Sequence, residues 1–253
     1  MSLLLDKYGE ILNVASLIQK NGWAEKNAGN FSIKLDFEDD RVSDVSIPLS
    51  TSFPMLSNSV FLVTGRGKRM RDIAKNPIEN SLLIRINPKG DSYSIITDGD
   101  VVPTSELPTH LAIHNMIAER GSDERAVVHS HVTELIALTH IKEYCNLKRL
   151  NNLLLQMHPE TIMFIPKGVG FVPFMMPGST EIANATIETL KNHQIALWEK
   201  HGVFSIADNI NNCYDLIDII AKSAKIYFLC ASAGTLPQGL SEKQLQELGE
   251  IEF

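Results

Sequence analysis

Cysteine is scarce in this 253-residue chain. Cys145, Cys213 and Cys230 make an odd number, with no CxxC spacing. That excludes a disulfide scaffold and a thiolate zinc site, and a reducing cytoplasm is the expected compartment. Positive charge is short too, with 23 Lys and Arg against 30 Asp and Glu and a net charge of −7. A nucleic-acid binder needs clustered Lys and Arg, so that class is set aside. No apolar run is long enough to span a bilayer. The first residues are apolar, but Asp6 and Lys7 interrupt them at once, and no signal peptide is expected. Neither a P-loop spacing nor GxGxxG occurs, which argues against ATP and dinucleotides. Repeats, low-complexity tracts and Gly/Ser linkers are missing as well, so residues 1–253 are read as one domain.

Hydrophobic residues, 44% of the chain, are enough for a sizeable core. Leu4, Tyr8, Ile11, Leu12, Ala15 and Ile18 recur at helical spacing and predict a helix over 3–20. Phe31, Ile33, Leu35 and Phe37 alternate with polar residues and predict a half-buried strand over 31–37. Further strands are predicted at 60–63, 93–96, 126–128, 162–165 and 203–206. Helices are predicted at 107–119, 180–192 and 214–232, and Ser241 with Gln244 reads as a capping box for a last helix. Strands and helices are mixed without alternating one for one. The expected fold is α/β: a mixed, largely antiparallel sheet with helices on both faces.

Eight histidines are present. His129 and His131 follow a β-branched run in AVVHSHV. On a strand, residues i and i+2 point to one face, so the two imidazoles can share a metal ion. Without a third ligand they are simply two histidines at a strand end. His201 in LWEKHGVF is the best third candidate, because Gly202 beside it allows close backbone approach. His110 and His114 are also at a chelating spacing, i and i+4 on a helix. Leu111 stands where a zincin needs Glu, so this pair is read as packing or capping. His140, His158 and His193 have no partner in sequence and are read as structural or exposed.

Glu106, in PTSELPTH, opens the 107–119 helix. It is either a first-turn acid that complements the helix dipole or a general base on a stiff turn. Two turns, Asn27-Ala28-Gly29-Asn30 and Thr64-Gly65-Arg66-Gly67-Lys68, could cradle an anion with successive backbone amides, or be ordinary turns. Together these parts fit enolate chemistry on a sugar phosphate. A His-only metal polarises a carbonyl, a carboxylate moves a proton, and the turns anchor the phosphate.

Six segments also carry a resemblance. GWAEKNAGNFSIKL (22–35), FLVTGRGK (61–68), VPTSELPTH (102–110), VVHSHVTELIALTH (127–140), FIPKGVGFVPFMMPGSTEIA (164–183) and LWEKHGVF (197–204) resemble the class II aldolase/adducin family. They run in family order over roughly residues 8–230. The resemblance implies zinc in each subunit on His129, His131 and His201, with Glu106 as catalytic acid/base. It implies that Asn27, Gly29, Asn30, Gly65, Gly67 and Ser105 hold the substrate phosphate. It also implies that Glu160 serves a neighbouring subunit's site in a cytoplasmic homotetramer. Arg66 stands where the family commonly has Ser, so it would replace the hydroxyl with a charge-assisted bond or point away. The family's 4-epimerases carry Asp at the position of Glu106, and its fuculose-phosphate aldolases carry Trp after that Glu and HNH. This chain has Glu106, Leu107 and HSH. The implied reaction is therefore reversible cleavage of L-rhamnulose 1-phosphate to dihydroxyacetone phosphate and L-lactaldehyde. Another ketose-phosphate aldolase, a 4-epimerase and a non-catalytic adducin-like module are the alternatives.

Overall fold

Asn30–Leu35 forms a strand in the middle of the sheet, and the elements around it decide which side chains it presents to what. The structure is a computed structural model that describes residues 2–36 and 45–251. Phe37, predicted to extend this strand, lies outside the described residues. In chain order the elements are α1 (Ser2–Lys20), β1 (Asn30–Leu35), β2 (Ile47–Pro48), β3 (Val60–Thr64), α2 (Met70–Ile73), α3 (Pro77–Asn80), β4 (Ser81–Ile86), β5 (Ser92–Ile95), α4 (Leu107–Arg120) and β6 (Ala126–Ser130). There follow α5 (Thr133–Leu138), α6 (Leu147–Gln156), α7 (Pro159–Phe164), β7 (Gly170–Val172), α8 (Thr180–Leu190), β8 (Ile195–Trp198), β9 (Gly202–Ala207), α9 (Ile210–Ser232) and α10 (Glu242–Gly249).

Among the described residues, nine strands form one sheet in the order β2-β5-β4-β3-β1-β6-β9-β8-β7. Every pairing is antiparallel except β7 with β8. The period-2 alternation sorts side chains between two layers. Phe31, Ile33, Val60, Leu62, Ala126 and Val128 pack under α1, α5 and α9. Phe61, Val63 and Val127 turn the other way, beneath α4 and α8. The mixed, mainly antiparallel sheet with helices on both faces is the expected fold.

Local signals set the helix ends. The side chains of Asn146, Ser179 and Asn209 accept from the backbone N–H three residues on and start α6, α8 and α9. Gly121 ends α4 in the left-handed region. The capping box of Ser241 and Gln244 is formed.

Two expectations need correction. Residues 162–165 are not a strand. IMF lies in α7, where Pro159 takes the first helical turn, in which its missing N–H costs nothing. That start signal outweighs the strand preference of a short apolar run. And β1 is buried on both faces, not half-buried, because α4 covers its polar side: Asn30 and Ser32 are 7% and 1% exposed.

Candidate active site

Sheet register brings the first two histidines together. His129 is the fourth residue of β6, on the same side as Val127, and His131 follows one residue beyond the strand. The backbone N–H of His131 donates to Trp23 O at 2.9 Å, which carries the alternation past the strand end. His201 comes from the turn between β8 and β9, and β9 pairs directly with β6. Lys200, immediately before it, has φ +59°, and its N–H donates to Thr139 Oγ1 at 2.8 Å. A non-glycine residue in the left-handed region is uncommon, and here it turns the chain so that His201 faces the other two. Gly202 is needed on the far side. A Cβ there would lie 2.6 Å from Ser130 O and 3.1 Å from both His129 Cε1 and His131 Cδ2.

The three imidazoles each offer one ring nitrogen, and these atoms all lie within 4.8 Å of one another. The outer nitrogens fix which ones they are. His129 Nδ1 donates to Val203 O at 3.0 Å, and its ring stacks on Phe204 at 4.2 Å between centroids. Its Nε2 is then an unprotonated acceptor, buried and without a hydrogen-bond partner. His131 Nδ1 donates to Glu25 Oε1 at 2.7 Å, which leaves its Nε2 free in the same way. Burial, reinforced by the neighbouring His131 and His201, holds the His129 imidazole far below its ordinary pKa. Burial, then His131, does the same less strongly for His201. Neutral imidazoles with outward N–H groups held by a carbonyl and a carboxylate are what a divalent metal requires. The orphaned Nε2 of His129 fits that group, since nothing else among the described residues satisfies it.

Glu106 occupies the N-cap position of α4, but its side chain makes no cap hydrogen bond. Its carboxylate instead accepts from Asn30 Nδ2 at 2.9 Å, with Oε2 3.8 Å from His129 Nε2. Of the two roles open to a first-turn acid, the structure orients the side chain toward the histidines.

Glu25, Glu106, His131 and His201 border a cleft of about 480 Å³, whose lining does not include the buried His129. Asn27, Gly29, Asn30, Gly65, Arg66, Gly67 and Ser105 line it together with Glu106, His131 and His201. Gly29, at φ +77°, lies so close to β6 that a Cβ there would stand 3.1 Å from His129 O. The second turn is less of an amide cradle than its sequence predicts. The N–H groups of Gly65, Arg66 and Lys68 already donate to Asn80 O, Val102 O and Gly65 O. Arg66 is exposed and Lys68 half-buried at the same rim. A larger groove of about 830 Å³ near Phe164 and Asp215 is bordered by five carboxylates and no imidazole, so it lacks the metal chemistry.

Glu160 is not brought to this cleft. It lies on α7, and His158 Nδ1 donates to it at 2.7 Å while His158 Nε2 donates to Ile219 O. His140 is exposed and His193 half-buried. His110 and His114 are wholly buried under the site and make no cap; their ring nitrogens reach Ser32 and Asn30. Glu25 and Ser32 were not singled out from sequence. The signal for Ser32 was the polar side of the β1 alternation, which faces the His110/His114 helix.

A family model described as the Class II Aldolase and Adducin N-terminal domain matches residues 9–228. A rhamnulose-1-phosphate aldolase from Bacteroides thetaiotaomicron is 39% identical over 252 residues, covering 97% of this chain and 93% of that one. One from Klebsiella pneumoniae is 35% identical over 239 residues, covering 90% and 86%. A crystal structure of a sugar-phosphate aldolase from Thermotoga maritima superposes with a TM-score of 0.82 at 31% identity, covering 93% of this chain and 99% of that one. No helix among the described residues is long and apolar enough to cross a membrane.

Proposed function

This chain belongs to the class II aldolase and adducin family, and from that premise we propose that it is a zinc-dependent aldolase that reversibly cleaves L-rhamnulose 1-phosphate to dihydroxyacetone phosphate and L-lactaldehyde. The observation that carries the reading is the convergence of three imidazoles on one point, with Glu106 Oε2 3.8 Å from His129 Nε2. An interaction module has no need of a buried, orphaned imidazole nitrogen beside a carboxylate. The curated relatives named above supply the substrate.

His129, His131 and His201 would hold the metal. When bound, it supplies Lewis acidity, which stabilises the negative charge that develops beside a carbonyl. In cleavage a base takes the proton of the C4 hydroxyl, the C3–C4 bond breaks, and the bonding electron pair is left on C3. Glu106 delivers the proton that C3 takes up, and removes it again in the condensation direction. Asn30 donates to the same Glu106 oxygen that lies 3.8 Å from His129 Nε2, which holds the carboxylate toward the histidines.

The phosphate would sit between the turns at Asn27–Asn30 and Gly65–Lys68, with Ser105 at their edge. Since three amides of the second turn are already bonded, Gly67 and the side chains of Arg66 and Lys68 carry its share. In this reading Arg66 replaces the family hydroxyl with charge. Glu160, which does not line this cleft, would serve a neighbouring copy in a homotetramer. Residues 1–253 act as one unit, and three free cysteines suit a cytoplasmic location.

The test is a coupled assay. Purified protein is given L-rhamnulose 1-phosphate, and dihydroxyacetone phosphate is followed by its reduction, with and without a chelator. Cleavage that stops with chelator and returns with zinc is the expected result. A zinc-loaded protein that cleaves no ketose 1-phosphate overturns the reading.

A further inference from the structure

We propose that Asn30, His110, Ser32 and His114 form a one-directional line of hydrogen bonds that positions Glu106, and that Asn30 belongs to this line before it belongs to the phosphate site. The inference rests on the aldolase reading above. Four contacts make the line. Asn30 Nδ2 lies 2.9 Å from Glu106 Oε2, and His110 Nε2 lies 2.5 Å from Asn30 Oδ1. Ser32 Oγ lies 2.7 Å from His110 Nδ1 and 2.8 Å from His114 Nε2.

Its direction follows from the carboxylate end. An ionised carboxylate only accepts, so Asn30 must turn its NH₂ toward Glu106 and its carbonyl oxygen toward His110. His110 must therefore donate from Nε2. Its Nδ1 is then an acceptor, so Ser32 spends its single hydroxyl proton there. The Ser32 oxygen is left to accept from His114 Nε2–H. This assigns one tautomer to each ring and explains an oddity. His114 Nδ1 is buried and has no partner, which is tolerable for a bare lone pair but costly for an N–H. The reverse direction fails on proton count. Were His114 to accept from Ser32, His110 would have to carry protons on both nitrogens, as a cation sealed in the core.

The consequence is positional. Asn30 could otherwise flip and present its oxygen to the carboxylate. His110 prevents the flip, Ser32 fixes His110, and His114 fixes Ser32. All four side chains lie between β1 and α4, the helix that Glu106 begins, so the line ties the acid/base to the sheet that carries His129. Asn30 has both amide atoms engaged and keeps one N–H for a ligand. None of the four need touch the reacting carbons.

The test reads the Glu106 step alone, as deuterium uptake from solvent into dihydroxyacetone phosphate by zinc-loaded enzyme. His110→Phe removes the donor to Asn30 and should slow uptake about 10- to 100-fold, the usual cost of losing an outer hydrogen-bond partner. Zinc content and the KM for dihydroxyacetone phosphate should not change. His110→Gln restores an N–H toward Asn30 Oδ1 and should recover most of the rate. Nitrogen NMR of the unvaried, histidine-labelled protein should find His110 and His114 as Nε2–H tautomers, a readout that needs no variant to fold. An Nδ1–H tautomer at His110, or a zinc-replete His110→Phe that exchanges at the unvaried rate, overturns the line. An unvaried enzyme that takes up no deuterium fails the aldolase reading itself and the line's role with it.

Discussion

Acid should destabilise this protein through His110, by an amount the structure allows to be worked out. The imidazole is fully buried. Burial lowers its pKa from 6.5 to about 4; Glu106 partly opposes that shift and His129 adds to it. Above pH 6.5 the ring is neutral whether folded or unfolded and contributes nothing to pH dependence. Below that, the unfolded chain takes up a proton that the fold refuses, so stability falls with pH and the loss is complete only near pH 4. A gap of about 2.5 units at 1.36 kcal/mol each gives a full loss of about 3.4 kcal/mol, of which about 2 kcal/mol has appeared by pH 5. Glutamine at this position donates a similar hydrogen bond but cannot titrate. Urea unfolding of metal-free protein at pH 7.5 and pH 5, at matched protein concentration, compares the unvaried chain with His110→Gln. The unvaried chain should lose about 2 kcal/mol more than the variant across that interval. Metal-free samples keep proton competition for the metal out of the comparison. His114, held low by burial and then by His110 itself, remains in both chains; its shift eases when His110 is replaced, which widens the difference in the same direction. Equal losses in the two chains would refute the argument, because His110 would then be protonated in the fold or exposed before unfolding.

Other perturbations separate the parts of the site. Glu106→Gln keeps an acceptor for Asn30 but cannot move a proton, so it should retain zinc while kcat falls by about 2–4 powers of ten; near-normal turnover would reject the role. His129→Ala should abolish bound metal and activity together, as measured by elemental analysis, and stoichiometric zinc surviving the change would defeat the ligand assignment. Gly202→Ala should weaken metal binding without removing a ligand, since the new methyl meets Ser130 O at 2.6 Å and crowds two of the histidines; unchanged zinc affinity in a chelator titration would show that the turn yields. Arg66→Ala should raise KM for the phosphorylated substrate and leave kcat in place, and an unchanged KM means that the side chain points away.

Sequence was most informative where periodicity and caps agreed. The helices read at 3–20 and 107–119 are present as Ser2–Lys20 and Leu107–Arg120, the second ended by Gly121. The helix read at 214–232 begins earlier, at Ile210, because the Asn209 side chain caps it by accepting from Asn212 N–H. The strand SLLIRI at 81–86 was missed, although it holds both β3 and β5. The four apolar residues at 162–165 read as a strand, but Pro159 is the stronger signal because it acts through the backbone and starts α7. Within the site, HSH was legible because a strand's two-residue repeat places both rings on one face. His201 was legible only as a complement to that pair, because pairing of β6 with β9, some seventy residues apart in the chain, cannot be read from either segment. Glu106 was ambiguous for a similar reason: what turns its side chain from the cap toward the histidines is Asn30, which reaches it from another element.

The histidines show how one side chain serves two ends. In His129 and His131 one nitrogen is tied to an acceptor and the other is left bare toward the neighbouring imidazoles. In His110 both nitrogens are engaged, one as donor and one as acceptor, and none is offered to a ligand. Number and spacing of histidines did not separate these classes, since i, i+2 on a strand and i, i+4 on a helix are both chelating spacings. The partners separate them. A ring that gives its N–H to a carbonyl or carboxylate keeps a lone pair for a metal. A ring that accepts from a serine hydroxyl has spent that pair. Metal content of His110→Gln against His129→Gln therefore tests the distinction directly: the first should bind zinc as the unvaried protein does, and the second should not. Loss of zinc from both would mean that the His110 line holds up the metal site as a whole and not Glu106 in particular.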